Sequence, residues 1–168
     1  NETADAPPDT SERQTARYLN GTWSVIPDHR GFTYYDTATR EQHTILEAGV
    51  EPEASWTTVE PPAALYYTYN DTSGAWVFDL ALYREHVVRR LSDESFARSE
   101  AIFPEYKARN LERGVCTYDE PYTLANKVAT DQACRAEFYR VKSLIEAAQT
   151  QEEIDAVAPV WPTEVVTS

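Results

Sequence analysis

The chain has 168 residues, of which 42% are hydrophobic, and this is enough for one domain with a buried core. Its formal net charge is −13 and its sequence pI is about 4.6. A surface this acidic repels phosphate groups, so the charge argues against nucleic acid and anionic membranes as partners. Every apolar run is shorter than the roughly 18 residues that a membrane-spanning helix needs.

Residues 1–20 are predicted to form an acidic N-terminal arm. The first ten of these residues contain Pro7-Pro8 and have little to bury, so we expect them to extend from the domain or to dock on a partner. Residues 11–19 are predicted to form a short helix that stops at Asn20-Gly21.

Residues 21–79 are predicted to form a small antiparallel β module. Short runs of aromatic and β-branched residues alternate with turn residues such as Gly, Pro, Asp and Asn, which is the pattern of hairpins. The predicted strands cover residues 22–26, 32–35, 42–46, 56–59, 65–69 and 75–78. Two hairpins alone are marginally stable in water, so we expect this module to pack on the helices or on another chain.

Residues 80–168 are predicted to form a long helical hairpin with a short C-terminal helix. Asp79 is a plausible N-cap, and apolar residues recur at helical spacing after it. Pro104 is expected to kink this first helix, and Gly114 is expected to end it. The predicted fold class is therefore α+β, with the β module followed by the helical hairpin.

A second long helix is predicted over residues 120–149, with Pro121 in its first turn. Its apolar residues recur at steps of four and three, and this marks one face that we expect to pack on the first helix. The face contains Cys134, Phe138, Val141, Ile145 and Ala148. After it, Thr150 and Glu153 match a capping box for the short last helix. Trp161 is then expected to hold the last residues on the hairpin.

The sequence offers no pattern for catalysis, for a cofactor or for a metal site. The histidines His29, His43 and His86 lack paired spacing, and a glycine-rich phosphate loop and a nucleophile elbow are both absent. Cys116 and Cys134 are predicted to be free thiols, because the second helix should separate their Cα atoms by more than the roughly 7 Å that a disulfide can span. We therefore predict that the protein is not an enzyme.

The β module carries many aromatic residues for its size. Two hairpins cannot bury all of these rings, and rings left at a surface are common anchors of protein interfaces. The predicted interface residues are Trp23, Tyr34, Tyr35, Trp56, Tyr66, Tyr67, Tyr69 and Trp76. The acidic arm would steer the chain toward a basic partner. In the alternative interpretation, the helical hairpin covers the rings within one chain.

Two sets of motifs carry a family resemblance. The first set is Tyr34-Tyr35-Asp36-x-x-Thr39, His43-x-Ile45, Gly49-x-x-Pro52, Trp56-Thr57, Pro61-Pro62 and Gly74-x-Trp76-Val77, followed by Arg84, Arg89 and Arg90. The second set is Cys134-Arg135-x-Glu137-Phe138-Tyr139-Arg140, Thr150-x-Glu152-Glu153-Ile154-Asp155-Ala156-Val157 and Trp161-Pro162. Together they resemble bacteriophage tail-fibre assembly proteins and related phage tail proteins. The long acidic arm and the long segment between the two helices depart from that family pattern.

The resemblance implies a non-enzymatic tail structural protein that docks on tail fibre or baseplate subunits. It implies that the protein is located in the virion tail, and in the host cytoplasm during assembly. Other tail proteins are then the expected partners, and self-association is a further expectation. One alternative is a transient tail-fibre assembly chaperone that the virion does not retain. Another is a secreted lipocalin-like ligand-binding protein, which only the pattern Gly21-Thr22-Trp23 favours.

Overall fold

The computed structural model describes residues 6–168, so the first five residues of the predicted arm lie outside the described residues. The chain divides into two compact units, Asn1–Phe78 and Asp79–Ser168, which we call the β unit and the helical unit. In the described residues the first unit is built from strands and the second from helices. This confirms the predicted α+β class, with small antiparallel sheets followed by a long helical hairpin and a short C-terminal helix.

The described part of the β unit contains three small antiparallel sheets. Their orders are β1-β2, β4-β3-β5 and β6-β7. The strands are β1 (Gln14–Leu19), β2 (Thr22–Pro27), β3 (Thr33–Asp36), β4 (Gln42–Thr44), β5 (Trp56–Thr57), β6 (Tyr67–Asn70) and β7 (Ala75–Phe78). The six predicted strands correspond to β2 through β7, and several of them are shorter than predicted.

The predicted helix over residues 11–19 is wrong, because Gln14–Leu19 forms β1 and pairs with β2. Asn20 and Gly21 have positive φ angles of 53° and 82°, and they form the two-residue turn between these strands. Asn-Gly is a preferred sequence for such a turn, because both positions need positive φ and the turn then matches the twist of the strands. This dipeptide therefore makes a hairpin and does not end a helix.

The helical unit contains α1 (Leu80–Ile102), α2 (Glu105–Glu112), α3 (Leu124–Ala147) and α4 (Gln151–Asp155). The Asp79 carboxylate accepts hydrogen bonds from the N–H groups of Ala81 and Leu82, so the predicted N-cap of α1 is confirmed. At Pro104 the chain breaks into two helices instead of kinking one. Proline cannot continue the hydrogen bonds of α1, and it holds the preceding residue, Phe103, in an extended conformation.

The long helix α3 begins at Leu124, four residues later than predicted. Thr123 is its N-cap, since the Thr123 hydroxyl accepts a hydrogen bond from the Asn126 N–H. The prediction that Pro121 lies in the first turn is therefore wrong, because the capping threonine sets the start of the helix. The capping box of Thr150 and Glu153 at the start of α4 is confirmed.

The core of the helical unit lies between α1, α3 and α4. Its buried apolar residues are Val87, Leu91, Val141, Ile145, Ala148 and Ile154. Phe138 packs against this cluster from a half-buried position, so the predicted apolar face is used. The Trp161 ring also packs on the cluster, and its Nε1–H donates to Glu94 Oε1 at 2.8 Å. These contacts hold the C-terminal residues on the helices, as predicted.

Cys116 is exposed and Cys134 is buried, and both are free thiols.

We predict that Ile145→Ala will destabilise the protein by about 2–5 kcal/mol, because it leaves a cavity at a fully buried position. The matched control is the neighbouring Leu144→Ala. Leu144 is 47% exposed, so we expect a loss of less than about 1 kcal/mol there. Denaturant unfolding followed by circular dichroism measures both changes. Equal losses at the two positions would contradict the assigned core.

Candidate functional site

The eight predicted interface rings lie on the three sheets of the β unit. Trp23 is on β2, opposite Tyr18, with ring centroids 5.1 Å apart. The β4-β3-β5 sheet carries Tyr34, Tyr35 and Trp56, and the β6-β7 hairpin carries Tyr67, Tyr69 and Trp76, with Tyr66 directly before it. Tyr34 is buried, and the other seven rings are half-buried.

Four rings form one aromatic face on the β6-β7 hairpin. Tyr67 lies opposite Phe78 and Tyr69 lies opposite Trp76, with centroid distances of 5.8 and 5.3 Å and edge-to-face geometry. Opposite residues and alternate residues of a hairpin point to the same side, so the two pairs lie side by side. Phe78 is a member of this face that the sequence prediction missed.

The polar tips of this face are bonded within the β unit. The Tyr69 hydroxyl lies 3.0 Å from Thr57 Oγ1, and the Trp76 Nε1–H donates to the Val59 carbonyl at 3.0 Å. These bonds join the β6-β7 hairpin to β5 and to the residues after it. The exposed parts of the two rings are therefore largely apolar.

Asp36 shapes the turn that leads from β3 to β4. One of its carboxylate oxygens accepts hydrogen bonds from the N–H groups of Thr39 at 2.7 Å and Ala38 at 2.9 Å. The other oxygen accepts a hydrogen bond from the Ser55 hydroxyl at 3.0 Å. These hydrogen bonds hold the pKa of Asp36 below its usual value, because they favour the charged carboxylate. The turn ends at Arg40, which has a φ of 65°.

The Arg40 side chain links this turn to the β6-β7 hairpin. Its guanidinium donates to the carbonyls of Pro62 at 3.3 Å and Ala64 at 2.8 Å, and also to the carbonyl of Tyr67. Its Cζ lies 5.0 Å from the centroid of the Trp76 ring, which places the cation over the ring. One side chain thus bonds three backbone carbonyls and contacts one ring of the aromatic face.

Tyr34 belongs to the core of the β unit, so the predicted interface loses this residue. Its hydroxyl lies 2.7 Å from Nδ1 of the buried His29, and Nε2 of the same histidine lies 2.9 Å from Glu51 Oε2. A second histidine, His43, stacks on Trp56 with centroids 4.2 Å apart. The sequence analysis missed the contacts of His29 with Glu51 and of His43 with Trp56, because those partners are 22 and 13 positions apart in the sequence.

Exposed apolar side chains also lie on, or directly before, the hairpins that carry half-buried rings. Tyr18 and Val25 lie on the same face of the β1-β2 hairpin as Trp23, and both are exposed. Leu65 precedes the β6-β7 hairpin, and Val77 lies on its opposite face from the rings. Apolar surface of this kind is typical of protein interaction sites. We call Tyr18, Val25, Leu65 and the half-buried rings the apolar surface of the β unit, and Val77 is not part of it.

The helical unit contains a cavity of about 350 Å³ between α1, α2 and α3. Lys127 is buried in its wall, with Nζ 2.7 Å from Asp131 Oδ1 and about 4 Å from Glu100 and Glu105. The Ser99 hydroxyl donates a hydrogen bond to Asp131, and this bond joins Ser99 to the Lys127 ion pairs. Burial raises the pKa of the Cys134 thiol, which disfavours the reactive thiolate. These contacts form an ion-pair network around the buried Lys127, and its acidic partners are partly exposed.

Three further findings are negative. Among residues 6–168, no cluster of three or more His, Cys, Asp or Glu side chains could hold a metal ion. The described helices include none that is long and apolar enough to cross a membrane. Comparisons with protein family models, with curated proteins and with solved structures find no match to this chain.

We predict that Arg40→Lys will destabilise the β unit by about 1–3 kcal/mol, because a lysine ammonium cannot reach all three carbonyls in the geometry of the guanidinium. Arg17→Lys on β1 is the matched control, and we expect it to change stability by less than about 0.5 kcal/mol because this position is exposed. Denaturant unfolding followed by tryptophan fluorescence measures both. If Arg40→Lys unfolded like the control, the role assigned to Arg40 would be wrong.

Proposed function

We propose that this chain is a non-enzymatic protein-binding component, and that its β unit docks on another protein through its apolar surface. One observation carries this proposal: seven of the eight predicted rings remain half-buried. In its described residues the unit buries only His29, Tyr34, Ile45 and Thr57. A partner that covered the rings would supply the apolar contacts that the unit lacks.

The aromatic face is suited to act as an anchor. Aromatic side chains offer a large and rigid contact area, and the loss of one such anchor often costs an interface more than about 2 kcal/mol. The Tyr69 hydroxyl and the Trp76 Nε1–H are already bonded within the unit. Docking would therefore cover the rings without leaving these polar groups unpaired, which would otherwise weaken binding.

The charge of the chain favours a partner with a basic rim around an apolar contact. The formal net charge is −13, from 28 acidic and 15 basic residues. Complementary charge raises the rate of association and excludes partners of the same sign. We therefore propose a partner whose contact surface is apolar at the centre and positively charged at the edge.

The resemblance to bacteriophage tail-fibre assembly proteins and related tail proteins supports a tail fibre or baseplate subunit as this partner. We propose a structural protein of the virion tail that is present in the host cytoplasm during assembly. The motifs that carry this resemblance include parts of the β unit described above. The Tyr-Tyr-Asp motif forms most of β3 and supplies the Asp36 turn, and the Gly-x-Trp motif supplies Trp76.

The helices that begin at Leu80 occupy the part of the chain where a lipocalin has strands, so we do not propose a lipocalin-like protein.

The test replaces exposed residues of the β unit, so that docking changes while folding is retained. We predict that the double variant Val25→Ser, Leu65→Ser will be incorporated into phage particles at least about tenfold less than the wild type, which corresponds to a loss of about 1.4 kcal/mol. Its melting temperature should stay close to that of the wild type. Quantitative mass spectrometry of purified particles gives the amount incorporated.

The matched control is the double variant Val115→Ser, Val128→Ser, which removes similarly exposed apolar residues from the helical unit. We expect normal incorporation of this control. Normal incorporation of both double variants would contradict docking through the apolar surface of the β unit. If the wild-type protein occurred in infected cells and was absent from purified particles, the chain would instead be a transient assembly chaperone.

A further inference from the structure

The β1-β2 hairpin forms a sheet of its own within the β unit. Every residue of its two strands is exposed or half-buried, so the hairpin carries no fully buried side chain. A two-stranded hairpin is marginally stable in water, whereas a sheet of three or more strands with an apolar face can be stable. A further strand would therefore stabilise this hairpin.

The hydrogen bonds of the hairpin show which backbone groups point outward. The Asp28 N–H donates to the Arg13 carbonyl at 2.7 Å, and this pair continues the register of the two strands. Hydrogen-bonded pairs alternate along an antiparallel ladder, so the odd-numbered residues of β1 bond to β2. The N–H and carbonyl groups of Ala16 and Tyr18 therefore point away from β2. Within residues 6–168, these outward groups have no hydrogen-bond partner.

The outer edge of β2 is partly covered, in contrast to that of β1. The Gly49 N–H donates to the Pro27 carbonyl at 2.7 Å, and the Ile26 side chain lies beside Gly49. Open strand edges are usually protected by proline, by charged residues such as lysine, or by a bulge. β1 contains neither proline nor lysine, its register is regular, and Arg17 is its only charged residue. The edge of β1 is therefore open to another strand.

We propose that β1 pairs with β1 of a second copy of the chain, in antiparallel orientation about a two-fold axis at Ala16. In this register the Ala16 N–H donates to the Ala16 carbonyl of the second copy, and the Tyr18 N–H donates to its Gln14 carbonyl. The symmetry repeats both bonds, because the same surface is used by each copy. The product is a four-stranded antiparallel sheet in the order β2-β1-β1-β2.

The side chains of β1 fit this self-pairing. Ala16 lies on the axis, where its small side chain lets the two strands approach closely. Arg17 faces Thr15 of the second copy in this register, so like charges do not lie directly opposite each other. Tyr18 and Trp23 lie on the same face of the hairpin as Ala16. Pairing therefore joins the aromatic faces of the two hairpins into one larger face.

The charge of the hairpin also favours a second copy as the occupant of the edge. The chain has a formal net charge of −13, but β1 and β2 contain no acidic residue. The acidic residues that would make two copies repel each other therefore lie outside the paired strands. The pairing uses backbone groups at the edge of β1, so it does not rest on docking through the apolar surface of the β unit.

The test is the Ala16→Pro variant of the full chain, measured by analytical ultracentrifugation over a range of protein concentrations. Proline removes the outward N–H and blocks the edge, and it leaves the bonds between β1 and β2 in place. The matched control is Val25→Pro, because the Val25 N–H points outward from β2. We expect the wild type and the control to approach twice the monomer mass of 19.1 kDa as the concentration rises. The dissociation constant of Ala16→Pro should be at least about tenfold higher.

A wild-type chain that stayed monomeric at every concentration would overturn the proposal, as would equal dissociation constants for the two proline variants. If Ala16→Pro failed to fold, amide hydrogen exchange on the wild-type chain would decide. The expected result is that exchange at Ala16 and Tyr18 slows as the protein concentration rises, while exchange at Val25 is unchanged. Exchange at Ala16 and Tyr18 that did not depend on concentration would contradict the pairing.

Discussion

The contacts of Arg40 are the constraint on which the β unit depends. This unit has a very small apolar core, so packing alone cannot fix how its short sheets are arranged. The Arg40 guanidinium bonds the carbonyls of Pro62, Ala64 and Tyr67 and lies over the Trp76 ring. A hydrogen bond to a charged group contributes about 1.5–3 kcal/mol, which is comparable to burying one large apolar side chain. The arrangement that it fixes leaves the rings half-buried and able to contact a partner.

The two units are stabilised in different ways. Packing of α1 against α3 buries apolar residues such as Leu91, Val141 and Ile145 in the helical unit, which is the usual basis of a self-sufficient core. The β unit is instead held by polar contacts, including the Asp36 turn and the bonds of Tyr69 and Trp76. A unit held in this way can keep its shape while its apolar area stays available for binding. This difference is the physical reason to look for a partner of the β unit.

The parts of the fold that depend on local chemistry could be predicted from the sequence. The helix faces, the Asp79 cap and the capping box at Thr150 each follow from residues within a few positions of one another. The Asn20-Gly21 dipeptide could also be recognised as a break in the chain. The same dipeptide can end a helix or form a hairpin turn, and only the pairing of β1 with β2 decides between these two structures. The aromatic composition predicted the candidate site. It could not show that Tyr34 is buried against His29, or that Leu65 is exposed. Contacts between residues 22–27 positions apart, such as those of Arg40, have no local signal.

Oxidative footprinting of the four tryptophans is the measurement that tests docking by the β unit most directly. Trp23, Trp56 and Trp76 lie in the β unit and Trp161 in the helical unit, and all four are half-buried, so Trp161 is an internal reference. The protein is oxidised with hydroxyl radicals when free and when assembled in particles, and the modification of each ring is quantified by mass spectrometry. We predict that the tryptophans of the β unit are protected in particles, while Trp161 is modified to the same extent in both states. Unchanged modification of all four rings, or protection of Trp161 alone, would contradict docking through the β unit.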